Sequence, residues 1–151
     1  MGNGKTVALA CDHGGFPLKA AVVRHIEEKG YTVLDFGTFS EERCEYPVLA
    51  ELACTAVTDG RAALGVLICG TGIGMSMAAN KIRGIRAACC SEPYSARMTR
   101  AHNDANVLCF GARVVGEEMA LQLVDAFLDQ SFEGGRHAER VAMLAELENR
   151  W

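Results

Sequence analysis

No apolar run in the sequence reaches the roughly 20 residues needed to cross a bilayer, because charges interrupt each one. The mean hydropathy is only +0.09. The chain does not open on a basic segment followed by a long apolar one, so no secretion signal is expected and a cytoplasmic location is. Residues 1–4 read as an ordinary start with slight fraying. Basic residues are outnumbered, 15 against 19 acidic, for a formal charge of −4. With no basic stretch and no aromatic platform, nucleic acid is a poor partner for this chain. Proline is scarce, at 3 residues, and there is no repeat, long linker or low-complexity tail. The 7 cysteines lack the dense pattern of a secreted disulfide scaffold. Cys11, Cys69, Cys89, Cys90 and Cys109 lie in or beside apolar runs, where reduced core thiols are the simplest expectation.

What is present is a globular composition: 151 residues, half of them hydrophobic, with 16 dispersed glycines. That is enough for one domain over residues 1–151 with a substantial core. Residues 5–11 predict a buried strand, and Asp12-His13-Gly14-Gly15 a compact turn. A helix follows over 17–29, with Leu18, Ala21, Val22, His25 and Ile26 on one face, Pro17 in its first turn and Gly30 beyond its end. Further strands are expected at 31–36, Leu64–Cys69, Ile85–Cys90 and Val107–Phe110. Helices are expected near 47–58, Met75–Lys81, 93–101 and 117–129, and a last one from about His137, after a hinge at Gly134-Gly135. Short apolar strands alternating with helices predict an α/β fold: a doubly wound, five-stranded parallel sheet with helices on both faces and a C-terminal helix.

Reactive residues cluster at the strand ends. Asp12-His13 follows the first strand, Cys69 ends the third, and His102-Asn103 precedes the fifth. A parallel sheet gathers such positions at its carboxyl-end crevice, so their chemistry is expected to converge. A solvated loop or a helix cap is the plain alternative for Asp12, His13 or His102 taken singly. Gly70-Thr71-Gly72-Ile73-Gly74 has the glycines of an anion-binding turn whose amides can approach negative oxygen. It lacks the spacing of a dinucleotide fingerprint, and no lysine-bearing phosphate loop occurs anywhere in the chain.

These segments together carry a resemblance. Cys11-Asp12-His13, Gly37 to Arg43 and Cys69 to Gly74 resemble the ribose/galactose-phosphate isomerase family, in particular its type B ribose-5-phosphate branch. So do Ala78 to Lys81, Gly84 to Ala87, Cys90 to Ala96, His102 to Asp104, Asn106 to Leu108, Phe110 to Gly116 and Phe132 to His137. The resemblance spans nearly the whole chain. It implies a doubly wound fold and a homodimer with active sites between chains, some members forming tetramers. It implies no metal and no organic cofactor.

In this family pattern Cys69 is the base that takes a proton from C2 of the open-chain aldose and returns it to C1. Another branch uses a glutamate one turn into the following helix, where this chain has Met75. Thr71 orients the reacting oxygens, and Gly70, Gly72 and Gly74 supply amides to an enediolate. The resemblance implies that Asn103 binds the sugar near its reacting carbons, with a turn-stabilising amide as the plain alternative. The resemblance further implies that His102 protonates the ring oxygen, with Asp12 assisting at the anomeric hydroxyl. His13, Arg113, Arg136 and Arg140 would hold the phosphate; on a helix the last two share a side. The substrate expected is D-ribose 5-phosphate, converted to D-ribulose 5-phosphate. Allose, galactose and tetrose phosphates are the alternatives within the family, and a noncatalytic sugar-phosphate sensor is the alternative of another class.

Overall fold

The structure, a computed structural model, describes residues 5–151. The frayed start expected at residues 1–4 lies outside the described residues. Five strands, β1 (Thr6–Cys11), β2 (Thr32–Asp35), β3 (Leu64–Cys69), β4 (Ala87–Cys89) and β5 (Val107–Gly111), form one sheet in the order β2-β1-β3-β5-β4. Every pairing is parallel. Among the described residues six helices connect or follow them: α1 (Phe16–Glu28), α2 (Tyr46–Thr58), α3 (Ile73–Ala79), α4 (Pro93–Asn103), α5 (Glu117–Leu128) and α6 (Arg136–Glu148). The doubly wound sheet and the C-terminal helix are those expected. No helix among the described residues is long and apolar enough to cross a membrane.

Alternation along the strands sorts the core into two layers. Val7, Leu9 and Cys11 of β1, with Val66, Ile68, Leu108 and Phe110, face Val22 and Ile26 of α1 and Leu123, Val124 and Phe127 of α5. Ala8, Ala10, Leu67, Cys69 and Cys109 face the other way, onto Ala50, Ala53 and Cys54 of α2 and Met75 and Ala79 of α3. The small residues of that second layer let α2 and α3 sit close to the sheet. The expected apolar face of α1 holds except at His25, whose Nε2 is 2.7 Å from Asp125 on α5.

Several element boundaries differ from expectation by one or two residues, and at β4 and α3 the local reasons are plain. β4 is three residues long, not six: the amide of Ile85 closes a turn on Ile82, and Arg86 is committed to Asp104 and Asn106. α3 starts at Ile73 and ends at Ala79, shifted from Met75–Lys81. Gly72, left-handed at φ 82°, turns the chain directly into the helix, and the Asn80 side chain bonds both the amide and carbonyl of Ala87.

Candidate active site

The loops leaving β1, β3 and β5 meet at the carboxyl end of the sheet. Asp12, nearly buried, accepts the amide of Gly15 on Oδ1 at 3.0 Å, which fixes its carboxylate in the turn. A Cβ on Gly15 would lie 2.3 Å from the carbonyl oxygen of Ile68, so only glycine lets this turn rest on the end of β3. Immediately beyond, the Gly72 amide donates to Cys69 Sγ at 3.0 Å, and the Thr71 hydroxyl accepts the amide of Ile73 at 3.2 Å. Arg113 follows β5; its amide donates to the carbonyl of Gly70 at 3.0 Å, and its guanidinium lies where a Gly70 side chain would go. His13 turns to the loop after β2, where its Nδ1 accepts the amide of Cys44 at 3.4 Å. Lys19 anchors that loop, donating to the Thr38 carbonyl at 2.7 Å and pairing with Asp35 at 2.7 Å. One chain therefore brings together Asp12, His13, Cys69, Gly70, Thr71, Gly72 and Arg113. Gly74, in the first turn of α3, packs against the ring of Tyr46.

His102 and Asn103 are elsewhere, which corrects the expectation that all the strand-end residues converge in one crevice. They end α4, and a helix feeding a parallel strand finishes at that strand's amino end. Asn106, three residues after Asn103, takes the amide of Gly65 at the start of β3. Cys69, at the end of β3, pairs with Gly111 at the far end of β5. The two groups are separated by about a strand length, on the order of 15 Å at ~3.3 Å per residue. What surrounds His102 is the start of α6. A cavity of about 340 Å³ is lined by His102, Asn103, His137, Arg140, Val141 and Leu144. The charges of Arg136 and Arg140 both act on His137 there.

Three residues near these groups are absent from the sequence-based site. Tyr46 opens α2 beside Gly74, just past the Gly37–Arg43 segment that carried the resemblance. His137 stacks on His102 with ring centroids 4.2 Å apart and planes 10° from parallel. Glu133 Oε2 lies 3.8 Å from Nε2 of each ring. The possible ligand atoms of His102, Glu133 and His137 fall within 4.8 Å of one another. Near-parallel rings hold their in-plane lone pairs in separate, nearly parallel planes, so the two imidazoles as placed do not aim at one ion. Burial, reinforced by His102 and Arg136, pushes the His137 value below that of an ordinary histidine.

The cysteines divide by surroundings. Burial pushes the thiols of Cys11 and Cys54 up to about 12 and that of Cys90 to about 11. Cys109, at the centre of the sheet, is also raised by burial. Cys89 departs from the expected core placement: it is exposed, with Sγ 3.7 Å from the carbonyl of Thr71. Its value too is raised, first by partial burial and then by the neighbouring Cys69. Cys69 is the thiol with a loop amide aimed at its sulfur.

This layout can be set beside known proteins. The sequence profile of the family described as Ribose/Galactose Isomerase matches residues 7–144. The chain belongs to that family. It is accordingly an isomerase, and its relatives place it with the type B enzymes. It is 53% identical over 146 residues to "Ribose-5-phosphate isomerase B" of Escherichia coli, covering 97% of this chain and 98% of that one. The solved structure of Clostridium thermocellum ribose-5-phosphate isomerase B superposes with a TM-score of 0.94 at 47% identity, over 96% of this chain and 98% of the other. A relative of different stated specificity, "D-erythrulose-4-phosphate isomerase" of Pectobacterium atrosepticum, is 40% identical over 145 residues and 95% of each chain.

Proposed function

We propose that this isomerase interconverts D-ribose 5-phosphate and D-ribulose 5-phosphate, as a one-domain cytoplasmic enzyme whose two active sites each draw on both chains of a homodimer. The observation that carries this reading is Cys69 Sγ, held at the end of β3 beside Asp12 with the Gly72 amide 3.0 Å away, in a chain of this family. The opposite placement of His102 supports the shared site, since two chains can supply what one keeps apart.

In this mechanism His102 of the partner subunit protonates the ring oxygen while Asp12 accepts the proton of the anomeric hydroxyl, which opens the sugar to its aldehyde. The Cys69 thiolate then removes the C2 proton. The electron pair moves into a cis-enediolate, whose oxygens meet the amides of the Gly70–Gly74 turn and the Thr71 hydroxyl. The proton on O2 passes to O1, the same thiol returns a proton to C1, and the ketose forms. No atom or electron is gained or lost overall, so this chemistry needs no redox cofactor, and the turn amides take up the enediolate charge. Asn103 binds near the reacting carbons, and His13, Arg113, Arg136 and Arg140 hold the phosphate. Met75, buried in the core, leaves no carboxylate at the position used by the other branch.

Conversion of ribose 5-phosphate in deuterium oxide tests the reading. Ribulose 5-phosphate carrying deuterium at C1 is expected; binding without isomerisation would leave a sugar-phosphate sensor instead. The Pectobacterium relative favours one second reading, a tetrose phosphate substrate. A higher kcat/KM for the tetrose than for the pentose would establish it.

A further inference from the structure

Residues 129–135 link α5 to α6 and cross the end of α4 on the way. The Glu133 amide donates to the carbonyl of Ala101 at 3.0 Å, so the segment is tied to the last turn of α4 next to His102. That bond holds the Glu133 carboxylate at the edge of two imidazoles, with Oε2 3.8 Å from Nε2 of both His102 and His137. The rings themselves stack, 4.2 Å apart and nearly parallel.

The two histidines sit at opposite helix poles. His102 occupies the last turn of α4, where the carbonyl end of the helix favours a cation. His137 occupies the first turn of α6, where the amide end disfavours one, and Arg136 and Arg140 add positive charge on the same side. On α4 the charges of Arg100 and Asp104 are paired with each other at 2.9 Å. Two positive rings 4.2 Å apart would repel, and the amide end of α6 sets the charge against His137. Glu133 is the carboxylate facing both rings.

We propose that Glu133 is a positioning residue for ring opening: its carboxylate, facing both rings, orients the His102 imidazole toward the sugar. This rests on the reading of His102 as the ring-opening acid. His137 completes the device as the neutral ring that fixes the plane of His102. Glu133 does not reach the sugar. It acts through His102 alone, and only on substrates that arrive as rings.

The experiment compares Glu133→Gln, Glu133→Asp, His102→Asn and the double variant Glu133→Gln/His102→Asn, using intact dimeric enzyme. Two substrates are followed: ribose 5-phosphate, supplied as the ring, and a tetrose phosphate that cannot close that ring, monitored by C2 proton exchange. Glu133→Gln keeps the shape of the side chain and removes its charge. It is expected to lower kcat on the pentose by about 10-fold or more, within the range that misplacing a catalytic group costs, and exchange on the tetrose by less than about 2-fold. Glu133→Asp, which keeps the charge, is expected to recover several-fold of that loss. In the His102→Asn background Glu133→Gln is expected to add nothing. Equal losses on the two substrates, or an additive loss in the double variant, would overturn the role of Glu133 while leaving His102 as the acid. Should His102→Asn itself slow both substrates alike, the acid reading fails and this inference fails with it.

Discussion

Cys69 and Gly15 show how much single positions decide in this molecule. Cys69 is one of seven cysteines, and burial raises the thiols of Cys11, Cys54, Cys90 and Cys109, which suits inert packing. Cys69→Ala is therefore expected to fold, to keep most of its affinity for sugar phosphate, and to lose about 10²–10⁴-fold in C2 proton exchange, the usual contribution of a general base. Near-normal exchange in saturated, folded protein would remove Cys69 from the mechanism. Gly15 acts through space, not chemistry. A methyl group there would stand 2.3 Å from the Ile68 oxygen, so the β1 turn must lift from β3. Gly15→Ala should cost about 1–3 kcal/mol in urea unfolding, the range for overpacking a close contact, and should weaken catalysis by displacing Asp12. An unchanged midpoint would mean that the two loops yield freely.

Among the elements, those legible in the sequence were the ones with an uninterrupted pattern. β3 was found at both boundaries, because Leu64–Cys69 is an apolar run stopped by the glycine turn. β4 was overextended because Ile85 and Arg86 look strand-like, and only the turn onto Ile82 and the bonds to Asp104 and Asn106 remove them from the sheet. The meeting of α4 with α6 was not legible at all, since nothing local pairs His102 with His137, 35 positions away in the sequence. That junction has a pH signature. His137 is depressed in the folded chain, chiefly by burial, so below about pH 6.5 the unfolded ensemble takes up the proton first. Its contribution is complete above that value and declines as the pH falls, until the folded ring also titrates. Urea midpoints between pH 7.5 and 5.5 should fall less steeply in His137→Phe than in the parent. Parallel slopes would contradict the depressed value.

For the whole molecule, the division of the site follows from topology. The candidate residues were readable from their motifs, yet placing them all in one crevice overlooked that residues after a parallel strand and residues before one lie at opposite ends of the sheet. Asp12, Cys69 and Arg113 come after β1, at the end of β3 and after β5; His102 and Asn103 come before β5. In the proposed dimer, the apolar side chains left exposed on α2, Val48 and Leu52, and on α3, Ile73 and Met77, are the surface against which a second chain would bring its α4 and α6. The central claim is that each active site takes Cys69 from one chain and His102 from the other. Mixing Cys69→Ala with His102→Asn protein, dissociating the two and reassociating them at equal amounts, tests it most directly. Random pairing makes about half the dimers hybrid, and each hybrid has one intact and one doubly defective site. The account predicts that turnover of ribose 5-phosphate rises to about a quarter of the parent's, far above the mean of the two separate variants. Activity that stays at that mean, with hybrid dimers demonstrably present, would place both residues of each site in a single chain and contradict it.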